Sequence, residues 1–191
     1  MSVSAEVLTS APELVELQKQ LATIELRLKS LEEQMPLDRL SIVVSHNDFE
    51  HLMMSLILAS GAVSMDMEAH LFFTFWGLTA LKKKSSYEGK NFVEKMMTFM
   101  LPSHIRDAKL SKMHMMGIGK MMFEGLIEKH NIVSLPELLS LCINTGVRIT
   151  ACEMTMSLLG LKRDELIDGI YYGGVATYFD SAQNSRITLF M

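Results

Sequence analysis

From residue 40 onward the chain alternates short, almost wholly apolar, β-branched runs with stretches of helical periodicity. This alternation constrains the fold more than any other feature. RLSIVVSH is a compact first strand, and DFEHLMMSLILASGAVSM follows as a helix with Asn47 or Asp48 as its cap. EAHLFFTFWG is a second strand, ended by Gly77, and a less regular region spans 78–117. KMMFEGLIEKHN and LPELLSLCINTG are helices, the second opened by Ser134 with Pro136 in its first turn and closed by Gly146. VRITAC is the third strand. After it come a short helix, the stretch LIDGIYYGG, a helix through VATYFDSAQ and a last strand, RITLFM. Strands apolar on both faces are those of a parallel sheet covered by helices on each side. Repeated βα units therefore predict an α/β domain with a doubly wound, mostly parallel five-stranded sheet. A flavodoxin-like strand order, 2-1-3-4-5, would make strands one and three neighbours flanking the topological switch point.

The segment before this domain is different. Leu14, Leu17, Leu21, Ile24, Leu28 and Leu31 follow an alternating three-four spacing, a heptad seam. Pro12 suits a first helical turn and Pro36 stops the helix. Residues 1–36 are thus expected to form an amphipathic or coiled-coil helix serving oligomerisation, and 37–191 the α/β domain. The alternative is a single helix lying on its own domain. A strict a/d stripe is narrower than an ordinary core-facing face and favours self-association.

Bulk properties exclude several function classes. Hydrophobic residues make up 49% of the 191 and charged residues 21%, ample for a packed core. A net charge of -4 gives no basic footprint for nucleic acid. Two cysteines are too few for a disulfide framework and suit a reducing cytoplasm. The N-terminus has no basic segment followed by an apolar run, so a secretory leader is not expected. LMMSLILASGAVSM and LFFTFWGLTAL are separated by Asp66, Glu68 and His70, and each is too short to span a bilayer.

Chemistry concentrates at Cys152, where the third strand passes into a helix. A thiol there gains from the helix dipole and can act as a nucleophile or sulfur-carrying thiolate, provided that it is partly exposed. The plain alternative is an inert core cysteine. Strand order 2-1-3-4-5 would bring His46 and Asn47, at the end of the first strand, beside this thiol to orient or stabilise it. Cys142 sits on an i, i+3, i+4, i+7 stripe with Leu135, Leu138 and Leu139, and reads as buried. The Met-rich run holding Met113, His114, Met115 and Met116 invites a Cu(I) reading, yet no repeated Met spacing organises it. A flexible cover over the cysteine site, or a partner-docking face, suits it better. GIGK at 117–120 lacks a full phosphate-loop pattern, and YYGGVATY reads as a tight turn. KKK at 82–84 reads as a solvated helix end. No metal or cofactor set is expected.

Four pieces carry a family likeness: HLFFTFWGLTALKK, KLSKMHMMGIGKMM, SLPELLSLCINTGVRITACEMTMSLLGLKRDELIDG and GGVATY. Together they make residues 40–191 resemble the DsrE/DsrF-like proteins, in particular the longer branch labelled peroxiredoxin-like. The short subunits of that family place a sulfur-carrying cysteine at a strand end with a glycine eight positions later, matched here by Cys152 and Gly160. The resemblance implies a doubly wound α/β fold, oligomeric assembly and relay of persulfide sulfur. Its implied partners are rhodanese-like or small sulfur-carrier proteins. No peroxidatic motif supports the branch label, and the N-terminal helix and Met-rich run lie outside the short-subunit pattern. Two rivals stand beside this reading: a non-catalytic oligomeric binding or scaffold module with a Met-rich partner face, and a Cu(I)-binding protein using Met113, His114, Met115 and Cys152.

Overall fold

The structure, a computed structural model, describes residues 4–101, 104–110 and 118–191. The chain divides into two compact units, Met1–Pro36 and Leu37–Met191. The first is helix α1, Ser4–Gln34. It begins earlier than Pro12 suggests, so that proline lies inside the helix. A proline removes one backbone hydrogen bond, and α1 continues across it. All six seam residues from Leu14 to Leu31 are exposed.

The second unit is a five-stranded sheet of β1 (Leu37–Val44), β2 (Glu68–Phe73), β3 (Arg148–Cys152), β4 (Tyr171–Gly173) and β5 (Ser185–Phe190). Every neighbouring pair is parallel, so all five carboxyl ends share one edge. The strand order is 4-3-2-1-5, which corrects the flavodoxin-like order. Each connection from β1 to β4 steps one place in the same direction, and only the last returns to lie outside β1. The direction therefore reverses between β1 and β5, and β2 separates β1 from β3. A strand's own residues report its burial but not its neighbour, which is why the order was not legible.

Between the strands lie α2 (Phe49–Ser64), α3 (Phe92–Met100), α4 (Ile118–Lys129), α5 (Leu135–Asn144), α6 (Glu153–Leu159) and α7 (Val175–Ala182). Asp48 rather than Asn47 caps α2, accepting from the His51 backbone N–H at 3.2 Å. The two-residue alternation of the strands sends Ile42, Val44, Leu71, Phe73, Ile149 and Ala151 into one core with α2 and α5. The opposite face carries Ser41, His70, Phe72 and Thr150 and meets α7. There the Tyr178 ring lies 5.5 Å from Phe72, and Ser181 Oγ sits 2.6 Å from His70 Nδ1.

Two local expectations fail for tertiary reasons. The second strand stops at Phe73 instead of running to Gly77, and a 3₁₀ segment, Phe75–Leu81, replaces its end. Phe75 turns the chain with a left-handed φ of 44°. Gly77 then donates to the Ser45 carbonyl at 2.9 Å, and a Cβ on Gly77 would stand 2.3 Å from the Val44 carbonyl oxygen. The run of lysines is also not wholly solvated. Lys82 is buried at 2% exposure, because its backbone bridges Leu166 in antiparallel fashion; Lys83 and Lys84 are exposed. Beside it Lys90 Nζ lies 2.6 and 2.9 Å from the two carboxylate oxygens of the fully buried Glu165. Burial pulls the Lys82 amine down, with Glu165 opposing.

Candidate functional site

Cys152 closes β3 and is the residue before α6, at the carboxyl edge of the sheet. Its strand neighbours are Ala151 against Phe73 and Cys152 itself against Gly173. The thiol is fully buried, at 0% exposure, whereas attack by its thiolate requires partial exposure. The segment that follows β2 is tied to the start of α6, the helix that Cys152 opens. Thr155, one turn into α6 and itself buried, pairs its hydroxyl with that of Thr74 at 2.9 Å and accepts from the Phe75 backbone N–H at 3.2 Å. The left-handed Phe75 is thereby pinned to the helix that Cys152 opens. Backbone strain of this kind persists only where surrounding contacts over-determine it.

Gly160 ends α6 with φ 65°, the left-handed cap that a glycine adopts without steric penalty. A Cβ there would meet Glu94 Cγ at 2.8 Å. The spacing of eight residues between Cys152 and Gly160 is thus the length of a two-turn helix and its cap. Outside the thiol, Arg163 Nη2 bonds Glu153 Oε1 at 2.5 Å and stacks over the Tyr172 ring at 4.5 Å. Phe75, Trp76, Met154 and Leu158 leave apolar surface exposed around this end of the sheet. Thr155, Phe75 and Trp76 were missed in the sequence. A hydroxyl one turn after the cysteine, and two aromatics before Gly77, were the only signals.

The other expected site residues are placed as follows. His46 stacks on His51 with ring centroids 4.7 Å apart, and its Nδ1 lies 3.0 Å from Ser45 Oγ. Asn47 donates from Nδ2 to Thr79 Oγ1 at 3.2 Å, which ties it to the 3₁₀ segment. With β2 intervening, two strand spacings of roughly 4.8 Å each separate the ends of β1 and β3. Among the described residues, no hydrogen bond joins His46 or Asn47 to Cys152. Met113, His114 and Met115 lie outside the described residues, as does Met116. Cys142 is buried in α5, its Sγ 3.5 Å from the Leu56 carbonyl, and burial pushes its thiol up to about 11. Both cysteines are free. Cys142 belongs to the core shared with α2, whereas Cys152 follows Arg148 and Thr150 on the alternate face of β3. Among the described residues no group of three or more His, Cys, Asp or Glu side chains is placed to hold a metal ion.

The DsrE/DsrF/DrsH-like family model matches residues 37–190. The chain belongs to the DsrE/DsrF/DrsH-like family. Its relatives include "Uncharacterized protein YrkE" of Bacillus subtilis (strain 168), 40% identical over 154 residues, which span 80% of this chain and 96% of that one. "Sulfur carrier protein DsrE2" of Allochromatium vinosum is 31% identical over 159 residues, spanning 80% of this chain and 98% of that one. The crystal structure of the ychN protein from E. coli aligns with a TM-score of 0.46 at 12% identity, covering 80% of this chain and 99% of that one. The family match begins where the α/β unit begins, so α1 lies outside it. Among the described residues no helix is long and apolar enough to cross a membrane.

Proposed function

We propose that this protein is a cytoplasmic sulfur carrier that holds sulfur as a persulfide on Cys152 and relays it between protein partners. The observation that carries this reading is the family match over the whole α/β unit, together with the likeness to a protein named for sulfur carriage. In the step proposed, the Cys152 thiolate attacks the terminal sulfur of a donor persulfide. A new S–S bond forms at Cys152, the donor's S–S bond breaks, and the donor leaves as a thiolate. Delivery repeats the exchange with the acceptor's thiolate as attacker, and no net oxidation occurs. Rhodanese-like or small sulfur-carrier proteins are the partners proposed, and the exposed seam of α1 is proposed to join copies of the chain.

Burial of the thiol gives the mechanism a gate. A sealed persulfide is protected from adventitious thiols, but loading requires the Phe75–Thr155 contact to open. Partner docking on the Phe75–Trp76 surface is the proposed trigger. Asn47, through Thr79, and His46 beside it would act as positioning residues for the 3₁₀ segment. Met113, His114 and Met115 would serve as site cover and partner contact.

The test is intact mass after incubation with polysulfide, on wild type, Cys152→Ser and Cys142→Ser. The reading expects added sulfur on wild type and Cys142→Ser and none on Cys152→Ser. Full burial of Cys152 also favours a second reading, a non-catalytic oligomeric binding module. That reading expects no adduct on any of the three and full partner binding by Cys152→Ser.

A further inference from the structure

Lys82 is a buried lysine that sulfur carriage does not use. It follows the 3₁₀ segment Phe75–Leu81 and is 2% exposed. A lysine ordinarily runs its stem along apolar surface and puts its ammonium in water. Lys82 does not: its Nζ is buried, and among the described residues it has no hydrogen-bond partner. The Glu165 carboxylate beside it is already engaged. Lys90 Nζ lies 2.6 Å from one of its oxygens and 2.9 Å from the other, and bonds Thr98 Oγ1 at 3.0 Å. Two amines therefore share one carboxylate in a buried cluster. Burial pulls the Lys82 amine down; Glu165 and Asp107 oppose this, and Lys90 adds to it.

The same residue stands in the wall of a cavity of about 340 Å³. Ala80, Ile105, Leu139 and Ile167 give that cavity apolar walls, with His104 and Arg106 also lining it. A mostly apolar lining with few polar groups is the usual character of a small-molecule site, and this volume lies at the lower end of the range for such sites. Among the described residues neither Cys152 nor any part of α6 lines the cavity, so it is separate from the thiol.

We propose that Lys82 is a nucleophilic amine that condenses with a small apolar aldehyde or ketone held in this cavity. An amine is a nucleophile only when unprotonated, and a lysine in water is almost wholly ammonium at neutral pH, with fewer than about one amine in a thousand. Desolvation and a neighbouring cation are two devices that favour the neutral amine, and Lys82 has both. In the step, the Nζ lone pair attacks the carbonyl carbon and a C–N bond forms. The carbonyl oxygen departs as water with both hydrogens of the amine, which leaves a C=N bond between Lys82 and the ligand. No net oxidation occurs, so no oxidant or reductant is needed. A neutral amine in an apolar wall suits an uncharged carbonyl compound better than an anion, whose burial there would go uncompensated. The inference does not depend on the sulfur-carrier reading.

The test is brief incubation of the full chain with butanal at neutral pH, then cyanoborohydride reduction and peptide mass mapping. Reduction turns the C=N bond into a stable secondary amine. Lys82 should carry about tenfold or more adduct than the exposed Lys19 and Lys95, because its neutral fraction is larger. Ile167→Trp, which fills the cavity from a half-buried wall, should remove the preference with the fold intact by circular dichroism. Unfolding in guanidinium should remove it as well. Labelling of Lys82 no greater than that of Lys19 and Lys95 in the folded chain would overturn the proposal. So would a preference that persists in folded Ile167→Trp or in guanidinium.

Discussion

His70 makes the stability of the α/β unit depend on pH in a window where carboxylates contribute little. Its side chain is 18% exposed, and its folded pKa is lowered from 6.5 to about 4 by burial, Arg39 and Arg148. A depressed histidine favours the folded state only while neutral. Its contribution is complete above the unfolded value near 6.5 and is lost progressively as pH falls toward 4. The whole difference is worth about 3 kcal/mol, and the part lost between pH 7.5 and 5.0 is about 2 kcal/mol. Urea unfolding of wild type and His70→Gln, each at both pH values in chloride buffer, isolates this contribution. The glutamine keeps a partner for Ser181 but cannot titrate. The stability drop on acidification should be smaller in His70→Gln by about 2 kcal/mol. Equal drops in the two proteins would refute the argument that burial and two guanidiniums hold this imidazole neutral.

Removing one member of the buried pair, Glu165→Ala, leaves the buried Lys90 without its carboxylate partner, and should destabilise by about 3–5 kcal/mol in urea unfolding at neutral pH. Gly160→Ala forces a Cβ onto a left-handed cap and against Glu94; a loss of about 1–2 kcal/mol is expected, read as a lowered Tm. Thr155→Val removes the hydroxyl that holds Phe75, and should speed alkylation of Cys152 in the native state, with Cys142 serving as the buried reference. If the α1 seam joins copies of the chain, Leu21→Glu with Ile24→Glu should lower the mass by light scattering without changing the melting of the α/β unit.

Much of the fold was legible in the residues. The β-branched runs at 40–45 and 147–152 became β1 and β3, because strands buried on both faces carry near-continuous apolar sequence. Ser134, Pro136 and Asp48 marked helix starts, because capping chemistry is local. FTFWG misled, since its composition suits a strand while its conformation is set by a close approach to the backbone of β1. Lys82 misled likewise: a lysine reads as solvated unless a carboxylate distant in sequence is brought beside it, as Glu165 is near here.

The candidate site divides the same way. The sequence by itself determined that Cys152 stands at a strand-to-helix junction, that a short helix follows it, and that Cys142 is a core residue. These are matters of periodicity and of local backbone geometry. Only the tertiary structure decided that β2 separates His46 and Asn47 from the thiol, that Thr155 pins Phe75 to the helix that Cys152 opens, and that Arg39, His70 and Arg148 meet at the opposite edge. Those facts depend on strand order and register, and these are fixed by contacts between segments far apart in sequence, such as Leu37 with Ser185.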